Sequence, residues 1–283
     1  SRRFLNQAIA AFRSFQFDRS VEFSRLSYEL TQDNQKVLGL LVMQACIDFR
    51  IEDAMTYHRQ MKAPRTQLGE LLAVTRTLTA NLASVPKLRR QYLLSFIKVI
   101  APSQDKEVLH YFIKRFLEEE IDLGKKLDLA LKFLELLNPQ VQTWKPKQQL
   151  IGKLIDLDLS GHAKLSNTLA LMYLPLRKLN LSHTAVQTFE HLPDNLRYLN
   201  LSYTPLTSLI DLRHSMLRSL DISHTYINDL GPIEASSLKF LYLNGLKIHR
   251  LENLTLFKNL EKVFLDRIPA DIPQKLLSLI EIR

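Results

Sequence analysis

Leu176-Arg177-Lys178-Leu179-Asn180-Leu181-Ser182-His183-Thr184 is the stretch that decides the fold, because the chain writes it again twice with little change. The second copy is Leu196-Arg197-Tyr198-Leu199-Asn200-Leu201-Ser202-Tyr203-Thr204, and the third is Leu217-Arg218-Ser219-Leu220-Asp221-Ile222-Ser223-His224-Thr225. Looser copies begin at Leu154, Leu238 and Leu260, so successive starts lie 22, 20, 21, 21 and 22 residues apart. Within each copy the apolar, polar, apolar order of Leu179-Asn180-Leu181 is that of a strand with one buried face. A single strand cannot bury its leucines alone, so the copies have to stack.

A phrase of the form L-x-x-L-x-L at a period of 20 to 22 residues resembles the leucine-rich repeat, over roughly residues 151–283. The resemblance implies a solenoid with a parallel β-sheet. Asn, usual at the ninth position of such repeats, is replaced by Thr184, Thr204 and Thr225, whose hydroxyls can still satisfy a turning backbone. Val186, Phe189 and Leu192, with Ile227, Leu230 and Ile233, are expected to face inward from the convex side, where the short period leaves little room for a full helix. Leu277 to Ile282 reads as a shortened terminal strand with an exposed edge.

Binding on such a fold is expected at the outward strand residues. These are Lys178, Asn180 and Ser182; Tyr198, Asn200 and Ser202; Ser219, Asp221 and Ser223; Phe240, Tyr242 and Asn244; and Lys262, Phe264 and Asp266. Of these, Lys178, Asn180, Tyr198, Asn200, Asp221, Phe240, Tyr242 and Phe264 are the candidate partner-binding set. Their aromatics either anchor an interface or pack on one another.

Upstream of residue 150 the apolar period becomes helical. Phe15 to Ser20 recurs as Phe49 to Ala54, at an offset of 34 residues, with small residues at Ser20, Ser27 and Ala54. That length and those small positions resemble a degenerate tetratricopeptide pair over residues 4–62, although the family's Trp, Leu and Gly signature and its turn proline are absent. Amphipathic segments follow at 67–80, 87–100, 106–120 and 126–137, separated by Pro64, Pro86, Pro102 and Pro139. The fold class expected is therefore α+β and multi-domain: an all-α solenoid of tetratricopeptide-like hairpins over 1–145, then a leucine-rich-repeat solenoid over 146–283. Trp144 is expected to be buried at the join.

Catalysis finds little support in the residues. With 7 Gly and 11 Pro among 283 residues, tight phosphate loops have few places to sit, and no CxxC or HExxH occurs. His162, His183 and His224 are read as sharing one phase of the repeat and as polar residues on the concave rim, too few to ligate a metal. Ser182-His183 and Ser223-His224 are strand neighbours that point to opposite faces, so no triad forms. Asp156 and Asp158 are read as solvated charges. No enzyme activity, cofactor or metal is expected.

Cys46, the single cysteine, lies in an apolar run and is expected to be buried; lacking any disulfide is compatible with the cytoplasm, the compartment expected, without demanding it, and no segment reaches membrane length. Opening on Ser1-Arg2-Arg3, the chain reads as a piece of something longer. The expected function is a non-catalytic protein–protein interaction scaffold holding an unidentified protein or peptide. Two alternatives stand beside it. One is the regulatory tail of a larger signalling enzyme such as a bacterial serine/threonine kinase. The other is nucleic-acid binding through the basic residues between Arg50 and Lys98, within a net charge of +9.

Overall fold

The computed structural model describes residues 2–13, 17–30, 34–47, 50–62, 69, 72–73, 106–188, 192–212, 216–230, 237–246, 248, 254–255, 257–268 and 274–282. The chain is α+β and divides into two compact units, Ser1–Phe116 and Leu117–Arg283. The hydrophobic period changes later, near 145, so one helix belongs with the sheet.

Four helices of the first unit are α1 (Arg2–Arg13), α2 (Phe17–Leu30), α3 (Gln35–Ile47) and α4 (Ile51–Arg59). They pack α1 on α2, α2 on α3 and α3 on α4. α2 and α4 begin at Phe17 and Ile51, the positions that the 34-residue offset relates. The small residues of the offset are fully buried: Ser20, Ser27 and Ala54 each have 0% exposure. Ser20 shows why a small residue stands there, since its hydroxyl donates to the Ala8 carbonyl of α1 at 3.0 Å and accepts from Gln44 of α3 at 3.3 Å. A larger side chain would push these backbones apart. Asn34 starts α3 as its N-terminal cap, its Oδ1 accepting the backbone N–H groups of Lys36 and Val37. Cys46 is buried, as its apolar neighbours predict. Burial pushes the Tyr57 phenol up from its ordinary value, and the Asp53 carboxylate acts in the same direction. The segments expected as helices at 67–80 and 87–100 lie essentially outside the described residues. The segment expected at 106–120 is α5 (Lys106–Glu119).

In the second unit α6 (Leu123–Leu137) starts at Asp122, whose carboxylate accepts the Lys125 N–H at 2.8 Å. Leu127, Ala130, Phe133 and Leu134 form its buried stripe, and it packs on a 3-10 turn at Leu169–Tyr173. Just after it, fully buried Asn138 uses its whole side chain. Its Nδ2 donates to the carbonyls of Leu134 and Asn167, and its Oδ1 accepts the N–H groups of Ser166 and Asn167, at 2.8 to 3.0 Å.

Among the described residues eight strands form one sheet in chain order: β1 (Lys147–Ile151), β2 (Leu154–Asp158), β3 (Leu176–Asn180), β4 (Tyr198–Asn200), β5 (Ser219–Asp221), β6 (Phe240–Tyr242), β7 (Lys262–Leu265) and β8 (Ile280–Ile282). β1 and β2 pair antiparallel through the two-residue loop Gly152-Lys153, with Gly152 at φ +61°. All the later pairs are parallel. One shift in register falls between Ile155 and Asp156, and from β3 onward the leucines align as Leu179, Leu199, Leu220, Leu241 and Val263, all nearly fully buried. Val186, Ile227 and Leu230 are buried as expected. Leu192 is partly buried, and Phe189 and Ile233 lie outside the described residues. A short 3-10 turn occupies Ile210–Leu212, in keeping with the small period.

Candidate ligand groove on the polar face of the sheet

Each strand from β2 onward supplies one rung, and the parallel register lines up its outward side chains into two rows. One row is Asp156, Lys178, Tyr198, Ser219, Phe240 and Lys262; the other is Asp158, Asn180, Asn200, Asp221, Tyr242 and Phe264. Between them lies a groove of about 590 Å³ whose lining includes Lys178, Asn180, Tyr198, Asn200, Asp221 and Tyr242. Six of the eight residues that the strand pattern singles out are thus brought together. Phe240 is partly buried in its row and does not line the groove. Phe264 does not line it either: it is only 3% exposed and stacks on Tyr242 with ring centres 4.2 Å apart. For this pair, packing of the aromatics on one another is what occurs.

The second row is built by the turn that follows it. Oδ1 of Asp158, Asn180, Asn200 and Asp221 accepts the backbone N–H two residues on, from Ser160, Ser182, Ser202 and Ser223, at 2.9 to 3.1 Å. This Asx geometry bends the chain out of the strand. Ser182, Ser202 and Ser223 are therefore buried turn residues, not outward strand residues as the alternation suggested. The next residue in each rung takes the left-handed conformation: Gly161, His183, Tyr203, His224 and Gly245, with φ between +56° and +76°. Thr184, Thr204 and Thr225 close the turn by donating Oγ1–H to the carbonyls of Leu181, Leu201 and Ile222. The threonines thus bond within their own rung.

Three of the left-handed residues form a column of rings. Tyr203 stacks between His183 and His224, at 4.3 Å on each side and within 16° of parallel. His162 is not in this column, contrary to the shared phase read from the sequence. It stands where the other rungs carry Thr, and Gly161 holds the position of His183. Its Nδ1 meets the Leu159 carbonyl at 2.8 Å, its Nε2 accepts the Lys145 N–H at 3.0 Å, and Trp144 lies on its ring at 5.3 Å. It is a buried capping group, not a rim residue. Among the described residues no group of three or more His, Cys, Asp or Glu side chains could hold a metal ion.

Charge in the groove is partly spent internally. Asp156 is no free surface carboxylate, because Arg177 grips it through Nε at 2.9 Å and through Nη2. Lys178 and Arg177 both lie over the Tyr198 ring, at 5.6 and 5.7 Å from its centre. The groove also takes Lys147, Gln148 and Gln149 from β1, which the repeat period could not reveal because β1 is not a repeat copy. The signal available was local, a Gly-X pair between two short strand-like runs.

Of the basic residues between Arg50 and Lys98, Arg50 pairs with Asp53, while Arg65, Arg76, Lys87, Arg89, Arg90 and Lys98 lie outside the described residues. No helix among the described residues is long and apolar enough to cross a membrane. Neither a protein-family model nor a curated protein matches this chain.

Proposed function

We propose that this chain is a non-catalytic interaction scaffold, a leucine-rich-repeat solenoid preceded by tetratricopeptide-like hairpins, that holds a protein or peptide segment along the polar face of its sheet. The observation that carries the reading is the groove itself, with six of the eight candidate residues on one open face. Its mixture of Tyr rings, side-chain amides and unlike charges suits an extended polypeptide, which offers carbonyls, N–H groups and side chains at similar spacings. The buried Cys46 fits a reducing compartment such as the cytoplasm.

The test is capture of partners from a lysate of the source cell on the immobilised chain beside a Tyr198→Ala, Tyr242→Ala double variant. Retention of a discrete protein by the parent and its loss by the variant is the expected result. Equal retention by both removes the groove from the function. Capture of nucleic acid that disappears with added salt would move binding to the basic residues of the helical unit.

A further inference from the structure

We infer that Asp221 anchors a cation subsite in this groove, taking an arginine or lysine side chain of the bound polypeptide; the inference rests on the groove being a polypeptide-binding face. The chain supplies its own control for what the fold requires at this position. In the two preceding rungs Asn180 and Asn200 make the same turn with neutral amides, their Oδ1 atoms accepting from Ser182 and Ser202 at 3.1 and 2.9 Å. Asp221 makes that bond to Ser223 at 3.0 Å through Oδ1 alone. The negative charge, and the second oxygen that shares it, are therefore surplus to the turn.

No cation among the described residues pairs with that charge. Asp156 is held by Arg177, and Asp158 stands opposite Lys147 in the β1–β2 register. The groove's lysines, Lys147 and Lys178, both stand on the N-terminal side of Tyr198. Asp221 lies beyond it, between Asn200 and Tyr242 in its row.

The surroundings suit a long cationic side chain. Ser219, small and in the row beside Asp221, pairs in register with Tyr198 and Phe240 and lines the groove, where an alkyl stem can lie over it. Tyr242 offers a ring wall that Phe264 holds in place by stacking at 4.2 Å. A guanidinium or ammonium there meets a carboxylate oxygen and an aromatic face together.

The test is selection of short extended peptides from a random library on the whole chain, followed by affinity measurements on the parent, Asp221→Asn and Tyr198→Ala. Asparagine keeps the Oδ1 acceptor, as residues 180 and 200 do, so the variant is expected to unfold at the parent's temperature. The selected peptides are expected to share one Arg or Lys and to bind Asp221→Asn roughly threefold to tenfold more weakly. That difference should shrink with added salt. Peptides that lack a basic residue, or that ignore Asp221→Asn yet fail on Tyr198→Ala, overturn the cation subsite and leave the groove standing. Peptides indifferent to both variants, or no selected peptides at all, overturn both. A single-stranded oligonucleotide that displaces the peptides and binds Asp221→Asn more tightly than the parent also overturns the subsite.

Discussion

The helical unit and the sheet unit meet the same demand, satisfaction of every buried backbone group, by different means. A helix interior pairs its own N–H and C=O groups, so only packing constrains the side chains, and α2 can carry Ser20, Ser24 and Ser27 on a buried face without each hydroxyl being used. Ser24 Oγ and Gln44 Oε1 are buried without a hydrogen-bond partner among the described residues. A rung of the sheet leaves its strand in a sharp turn whose backbone groups need side-chain help, and there Asn180, Thr184 and their equivalents repeat with the rung. Sequence repetition is therefore loud where the backbone depends on side chains and faint where it does not.

That contrast can be broken most forcefully at Asn138. Replacing it with alanine leaves two N–H groups and two carbonyls without their side-chain partner, and the sheet unit is expected to lose on the order of 3–5 kcal/mol in chemical denaturation. A loss below about 1 kcal/mol would show that water replaces the amide without cost. Within a rung, Thr204→Val keeps the volume but removes the donor to the Leu201 carbonyl, at a cost of about 1–2 kcal/mol. The helical unit provides the opposite sign. Ser24→Ala is expected to be neutral or stabilising by up to about 1 kcal/mol, because its hydroxyl has no partner to lose, whereas Ser20→Ala costs about 1 kcal/mol. Thermal melts of the pair decide it, and equal destabilisation by both would erase the distinction.

The smallest effect is one of pH. The phenol of Tyr57 is raised in the fold, so the fold favours its protonated form. Its contribution is complete below the ordinary tyrosine value of 10.0 and is lost as pH rises through the folded value. Absorbance titration should show the Tyr57 tyrosinate appearing late, and Tyr57→Phe should remove that late contribution and flatten the alkaline loss of stability. An unchanged titration in Tyr57→Phe would assign the late step to another ring.

What could be read in advance follows the same division. The rungs from Leu154 to Leu265, their alternation and most of the groove were legible because identical turn problems recur at one period. The equivalence of the segments that become α2 and α4 was legible from one short echo, though not where either helix starts. Asn138 was not, since its partners Ser166 and Asn167 lie 28 and 29 residues away and outside any repeat. Nor was the burial of Phe264, where alternation gives the face but not what covers it. His162 misled by residue type: counted from Leu159 it falls where Thr184, Thr204 and Thr225 fall from Leu181, Leu201 and Ile222, and its contact with the Leu159 carbonyl takes over the threonine's bond.

The glycine at 245 carries a consequence for how this protein can change over generations. A Cβ there would stand 2.2 Å from Nδ1 of His224, one rung earlier, whereas the same atom at Gly161 would meet nothing within 4 Å. A heavier residue at 245 thus requires the His224 ring to swing aside, as the rings of His183, Tyr203 and His224 already do for one another by stacking at 4.3 Å, while at 161 space is free and only the left-handed backbone, φ +76°, penalises a side chain. Two sites 21 residues apart are thus coupled through the placement of one ring, and a large residue at 245 is expected to come with a stacked His224 ring or a smaller residue at 224.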